Sequence, residues 1–299
     1  AVAGAGALLC ACALLAALTA RPLAPPPGAW WLVAIDVGQG DALAIAGRDG
    51  WWLVDAGPRT PRWDAGEGAV LPFLRWAGAR DLRALVVTHD DGDHAGGAPA
   101  VRRGARVHAT FASAPRPGVE GPSRRFGART LGRGDTLLVA PGARVLWPPR
   151  PGEPGEALAR RGDNAASLVL EVGEGRSRAL LMADADSLVE AAVVVERGAA
   201  VLKAGHHGSG SSSGAAFVSR ALPARVLVSA GRRNAYGHPH PLALERLGSH
   251  GAVVDRTDRS GTRWDVLDER GARLLDWRGG LGPGGGLRFR LGVPPGPRP

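Results

Sequence analysis

The reading turns on Val86-Val87-Thr88-His89-Asp90-Asp91-Gly92-Asp93-His94-Ala95-Gly96-Gly97. Residues 84–87 form an unbroken apolar run, the mark of a buried strand, and the run stops at Thr88. His89, Asp91, Asp93 and His94 then fall within six residues. In a tight loop, residues two apart can face one point while Asp93 and His94 face a second. The carboxylates of Asp90, Asp91 and Asp93 repel one another, and a divalent cation relieves that repulsion. A solvated Asp-Gly turn is the competing reading. The two flanking histidines and the small-residue run Ala95-Gly96-Gly97, which suits close packing, weigh against it.

Outward from this loop, other strand ends carry related chemistry. Leu180-Leu181-Met182-Ala183-Asp184 puts a carboxylate at the end of an apolar strand, where it can bridge two cations. Asp186 is its near competitor and equally suits the N-cap of a helix over 187–195. Val201-Leu202-Lys203-Ala204-Gly205-His206-His207-Gly208-Ser209 runs a strand into paired histidines. One can bind metal while the other faces substrate, and His207 is the favoured ligand. In Asn234-Ala235-Tyr236-Gly237-His238-Pro239-His240-Pro241, two prolines restrict a histidine-bearing loop. It either lines the site or is the turn that starts a helix, because Pro241 suits a first helical position. Ile35-Asp36-Val37-Gly38-Gln39-Gly40-Asp41 is either a plain hairpin turn or a brace for the metal loop through Asp36, Gln39 and Asp41.

The rest of the chain bounds these readings. It has 299 residues, 44% hydrophobic and 22% charged, which is a globular composition. The net charge of +9 is almost all arginine, since Lys203 is the single lysine. Such charge suits an anionic partner, or reflects only coding bias, because the arginines are scattered. Cys10 and Cys12 are the only cysteines and sit in an apolar run, so cysteine-held metal and disulfide frameworks are excluded. Residues 1–20 carry no charge and are about long enough to cross a bilayer as a helix. They read as a transmembrane segment rather than a cleaved signal or a soluble helix. Residues 21–29 read as a Pro-rich linker, 30–278 as one globular domain and 279–299 as a disordered Gly/Pro tail. Strands alternating with helices within the domain indicate a layered α/β fold.

Taken as a set, DVGQGDA (36–42), LVDAG (53–57), THDDGDHAGG (88–97), NAASLVL (164–170), LLMADAD (180–186), LKAGHHGS (202–209) and YGHPHP (236–241) resemble the metallo-β-lactamase superfamily. They are most similar to the C-terminal domain of ComEC-type DNA-internalisation competence proteins. The resemblance implies an αββα sandwich with metals at one edge, preceded by a transmembrane helix. By position it implies His89, Asp91, Asp93, His94, Asp184 and one of His206/His207 as ligands. Asp93, His206 and His238 are then candidate catalytic groups, and Asn164, Lys203, Asn234 and His240 candidate substrate contacts. Two divalent ions are implied, Mn²⁺ or Zn²⁺, with Mg²⁺ as a further choice. Asp91 stands where most members have His, and Asn164 lies near the place of another His. Both departures add hard oxygen donors and tilt the choice towards Mn²⁺ or Mg²⁺. The implied activity is DNA phosphodiester hydrolysis during uptake in natural transformation. The implied partners are DNA, a membrane held through the N-terminal segment, and other DNA-uptake proteins. The implied location is the cell membrane, with the domain on the extracytoplasmic side. Rival readings are an ester or lactam hydrolase of the same fold, a non-catalytic DNA-docking module, and a domain whose arginines bind lipid headgroups.

Overall fold

The computed structural model describes residues 23–114, 121–276 and 290–291. Two large sheets face each other. The first runs in the order 290–291, Gly271–Asp276, Arg263–Asp268, Trp30–Ala34, Leu43–Gly47, Gly50–Val54, Asp81–Val87, Thr110–Ser113 and Arg129–Leu131, with Arg106–Val107 also paired to Asp81–Val87. The second runs Thr136–Leu137, Ala143–Trp147, Val169–Val172, Ala179–Leu181, Val201–Lys203, Arg225–Val228 and Val253–Arg256. Each sheet turns from antiparallel to parallel pairing part-way along. In the first the change comes where Gly50–Val54 meets Asp81–Val87; in the second it comes between Ala179–Leu181 and Val201–Lys203. Parallel strands need crossover helices, which cover the outer faces.

The side-chain alternation of one strand shows the layering. Trp30, Leu32 and Ala34 point between the sheets, against Leu170, Leu181 and Val201 of the second sheet. Trp31 and Val33 point outward, with Leu74 and Val101 of the helices Leu71–Trp76 and Ala98–Gly104. Beyond the second sheet, Val189, Phe217 and Leu247 cover Leu180, Leu202 and Val226. The result is the helix–sheet–sheet–helix sandwich expected. Strands buried on both faces read as continuous apolar runs, which is why the sequence exposes them so clearly.

Residues 1–20, expected to cross a membrane, lie outside the described residues. Among the described residues no helix is long and apolar enough to do so. Within the stretch expected to be an unstructured tail, Arg290 and Leu291 pair antiparallel with Asp276 and Leu275. Parallel strands also aim their carboxyl ends at one edge of the sandwich, the usual place for a site in such sheets. Asp81–Val87, Ala179–Leu181, Val201–Lys203 and Arg225–Val228 all do this, and every histidine-bearing loop singled out above leaves from that edge or lies beside it.

Candidate metal centre

Local backbone geometry sets the donors. His89 follows the strand Asp81–Val87 directly, and His94 lies in the short helix Gly92–Ala95. Two glycines allow this loop to seat deeply. A Cβ on Gly97 would stand 2.2 Å from the Ala56 carbonyl oxygen, and one on Gly40 would stand 2.2 Å from that of Asp93. The bare approach at Gly40 lets the Asp41 amide donate to the Asp93 carbonyl at 3.1 Å. Asp184 follows Ala179–Leu181, and His206 and His207 follow Val201–Lys203 on residues with φ of 46° and 54°.

The donors converge around Asp184, whose carboxylate divides them into two groups. Its Oδ1 is 3.0 Å from His94 Nε2 and 3.5 Å from His207 Nε2. His207 Nε2 lies 3.3 Å from Asp93 Oδ2 and 3.3 Å from His94 Nε2. Asp184 Oδ2 is 3.8 Å from His89 Nε2 and 3.5 Å from His206 Nε2, and His89 Nε2 is 3.5 Å from Asp91 Oδ2. His89, His94, Asp184 and His207 are buried, whereas the Asp91 and Asp93 side chains are 40% and 31% exposed at the mouth. His89 Nε2 and Asp184 Oδ1 are buried with no hydrogen-bond partner of acceptable geometry. Buried polar atoms are rarely left so, and a cation between them satisfies both. The residues therefore fit a metal.

A layer of partners orients these donors. Asp55 accepts from Thr88 N at 2.8 Å and Thr88 Oγ1 at 2.7 Å, and its Oδ2 lies 2.8 Å from His94 Nδ1. Thr88 Oγ1 is 3.0 Å from His89 Nδ1. His207 Nδ1 faces the Ser229 carbonyl at 3.0 Å and Asp41 Oδ1 at 3.3 Å. Asp41, His94, Asp184 and His207 place ligand-type atoms within 4.8 Å of one another, all buried. Asp41 nevertheless stands on the Nδ1 side of His207 and pairs with Lys203 Nζ at 2.5 Å. It is better placed to orient His207 than to bind metal, as carboxylates behind ligating histidines commonly do.

The electrostatics agree with a site built for positive charge. Burial alone would raise the Asp184 carboxyl, but the His94 and His207 cations hold it well below the usual range. Burial works against charge on His94 and His207, yet Asp184 with Asp55 raises His94 well above its ordinary value, and Asp184 with Asp41 raises His207 to about 9. Asp93 is likewise lowered against its burial, chiefly by its hydrogen bond with His207. Bound protons here neutralise the carboxylates, and a divalent cation does the same while displacing them. His206 and His238 shift the other way, downward, chiefly through burial, and for His238 next through the neighbouring His206 charge.

His206 and His238 stand at the rim with ring centroids 5.5 Å apart, and Asn164 Nδ2 is 3.4 Å from His206 Nε2. One expected substrate contact is corrected, and two others are engaged in local contacts. Lys203 is fully buried, donating to the Ala204 carbonyl at 2.9 Å and paired with Asp41, so it cannot reach a ligand. The Asn234 side chain is consumed by its own loop, donating to the Gly231 and His238 carbonyls and accepting from the Tyr236 and His238 amides. His240 is exposed and caps the helix Pro241–Gly248 by accepting from Leu242 N at 3.2 Å. Asp36, expected to brace the loop, instead accepts from Gly38 N beside it, whereas Gln39 Oε1 accepts from Gly231 N. Asp186 is a helix N-cap, accepting from Leu188 N and Val189 N. The residue that sequence reasoning missed is Asp55. It ends the apolar strand Gly50–Val54 as Asp184 ends its own, so the same strand-end signal marked it.

Comparison with known proteins gives a consistent picture. Residues 35–231 match the family model described as the metallo-beta-lactamase superfamily. The chain is 31% identical over 252 residues to ComE operon protein 3 of Bacillus subtilis (strain 168), covering 76% of this chain and 32% of that protein. It is 31% identical over 263 residues to Recombination protein 2 of Haemophilus influenzae, covering 85% and 30% respectively. It is 31% identical over 247 residues to Competence protein ComA of Neisseria gonorrhoeae, covering 81% and 33%. These relatives are ComEC-type competence proteins, and the chain spans about a third of their length. Among solved structures, a CmlA beta-hydroxylase mutant superposes with a TM-score of 0.51 at 17% identity, covering 82% of this chain and 54% of that one, which shows a shared fold.

Proposed function

The chain belongs to the metallo-beta-lactamase superfamily, and on that premise we propose that it is a metal-dependent phosphodiester hydrolase acting on DNA during uptake. The observation that carries this reading is the Asp184 carboxylate, with Oδ1 towards His94 and His207 and Oδ2 towards His89 and His206. Asp93, His94 and His207 would hold one divalent ion, and His89 and Asp91 the other, with Asp184 shared. Ions so held would supply a water acidic enough to attack near neutral pH and charge to balance the phosphate oxygens. Mn²⁺ suits the oxygen-rich second group, and Zn²⁺ suits the imidazole-rich first.

The remaining work falls to the chain's own side chains. Asp93, partly exposed at the mouth, orients the attacking water and accepts its proton. His206 and His238 stand together at the rim, with His206 Nε2 3.5 Å from Asp184 Oδ2. They donate to phosphate oxygens, and one of them returns a proton to the leaving oxygen. Asn164 lies beside His206 and fixes its ring. The similarity to competence proteins supports DNA as the substrate. The similarity is also consistent with membrane association, and we propose placement at the cell membrane through residues 1–20, with the domain on the extracytoplasmic side and other uptake proteins as neighbours.

The test is a nuclease assay of the full chain with Mn²⁺, Zn²⁺ or Mg²⁺ added singly, alongside metal analysis. Wild-type protein should cleave DNA only with metal, and Asp184→Ala should lose both cleavage and bound metal. Full cleavage by Asp184→Ala with unchanged metal content would refute the assignment.

A further inference from the structure

Four arginines, Arg75, Arg80, Arg103 and Arg106, line one cavity of about 540 Å³. It lies where the strand Asp81–Val87 begins, and the metal centre lies where that strand ends. Seven residues at about 3.3 Å each separate the two by about 23 Å. Arg103 meets Glu67 at 3.1 Å and Arg106 meets Asp81 at 3.9 Å, with every one of these side chains more than 60% exposed. Pairs so exposed hold little energy and release their arginines readily. Among the described residues Arg75 and Arg80 have no ion-pair partner. Four guanidiniums thus stand against two carboxylates.

Two further observations point to what this edge meets. The described chain begins here. Leu23 N donates to the Ala77 carbonyl at 2.8 Å, and Trp51 Nε1 donates to the Leu23 carbonyl at 2.9 Å. The described chain therefore enters the domain at Leu23, beside the helix Leu71–Trp76, which carries Arg75, and the sequence before it is uncharged over residues 1–20. On that same helix Trp76 is 48% exposed, and with Phe73, Thr262 and Trp264 it lines a small apolar cup of about 240 Å³. A chain entry point that follows an uncharged sequence, an exposed tryptophan and clustered arginines form a combination that suits a lipid headgroup layer.

We propose that this edge rests on an anionic membrane surface, with the arginine cup taking lipid phosphates and Trp76 lying at headgroup level. The metal centre then faces away from the bilayer into water. A nucleic-acid strand is the less fitting occupant, because a phosphate held in the cup lies a whole strand length from the metal centre. The proposal is independent of the hydrolase reading, since it concerns neither the metal nor its ligands.

The test uses the full chain in lipid nanodiscs made of phosphatidylcholine alone, or of phosphatidylcholine with about 30% phosphatidylglycerol. Amide hydrogen exchange is followed over residues 71–80 and 102–107. Exchange there should slow about fivefold in the anionic discs, the effect of roughly one arginine's worth of surface attraction. Residues 234–240 at the metal edge should not change. The double variant Arg75→Gln/Arg80→Gln, whose side chains are exposed and unpaired, should keep its unfolding midpoint and lose the difference. Equal exchange in both discs would overturn the proposal. So would greater slowing by a single-stranded oligonucleotide in neutral discs than by the anionic lipid.

Discussion

The two halves of the metal centre solve the same problem by different means. In the loop of residues 88–97, side chains aim the donors: Asp55 alone holds Thr88 N, Thr88 Oγ1 and His94 Nδ1. In the half contributed by the second sheet, the backbone does most of the aiming, with Asp41 bracing His207 from behind. Ala183, His206 and His207 take φ of 45°, 46° and 54°, a region that L-residues with a Cβ enter at a cost of about 1–2 kcal/mol each. Asp55 also has positive φ, at 58°, but Asp tolerates that region better. Side-chain bracing is therefore removable by one substitution, whereas backbone aiming is stored in the surrounding fold.

The largest effects should appear where the bracing network joins the halves. Lys203 of the second sheet neutralises Asp41, which in turn orients His207. Lys203→Met leaves a buried carboxylate without its main partner and should cost about 3–5 kcal/mol. Chemical denaturation would measure this. A variant of normal stability with only weakened, salt-sensitive DNA binding would instead restore Lys203 as a phosphate contact. Asp55→Ala leaves two buried donors of Thr88 and one ring nitrogen of His94 unpaired, and should cost about 3 kcal/mol. It should also release metal, whereas Asp55→Asn should keep part of both. If Asp55→Ala retained stoichiometric metal, the loop would not depend on side-chain bracing and the contrast between the halves would fail.

The same contrast explains what the sequence made legible. The strands stand out because both faces are buried, and the donor loops stand out because ionisable residues follow those strands abruptly. Pairings between distant segments are invisible to such reasoning. Lys203, Asn234 and His240 each looked like a free polar group near a histidine motif. Their partners are Asp41 far along the chain, the Gly231–His238 loop backbone, and a helix amide. Short elements were missed for another reason. The hairpin Arg59–Thr60/Trp63–Asp64 and the strands Thr110–Ser113 and Arg129–Leu131 are short or polar and have no periodicity to read.

The second half carries one titratable brace, and it sharpens the comparison. Glu190 in the helix Ser187–Ala192 accepts from Ser213 N at 2.6 Å and Gly214 N at 2.8 Å, anchoring the chain that leaves His206 and His207. Burial pushes its carboxyl from 4.5 up to about 7, against the pull of those amides. The folded-state value lies above the unfolded one. The stability it contributes is therefore complete below about pH 4.5 and is lost as pH rises through about 7. Stability should fall by about 3 kcal/mol across that window from this residue, at about 1.4 kcal/mol per pH unit. Denaturation midpoints of wild type and Glu190→Gln, followed from pH 5 to pH 8 (roughly the window set by burial), would measure it. The variant should show a flatter profile. An equal slope in both would mean that Glu190 stays charged and braces the loop at every pH.

The smallest effect should come from relaxing the backbone itself. Ala183 has no functional group, so Ala183→Gly isolates the strain at φ 45° from any loss of chemistry. Glycine removes about 1–2 kcal/mol of strain but adds about 0.5–1 kcal/mol of unfolded-state freedom, which leaves a net gain of about 0–1.5 kcal/mol. The variant should thus be slightly more stable than wild type. Its metal affinity should fall, because Asp184 would be aimed less firmly once its neighbour can leave the left-handed region. Isothermal titration with Mn²⁺ beside a denaturation curve separates the two outcomes. A gain in stability with undiminished affinity would show that Ala183 strain is incidental and that Asp184 is aimed by its contacts with His94 and the Ser167 hydroxyl. The second half would then work as the first does, by side chains.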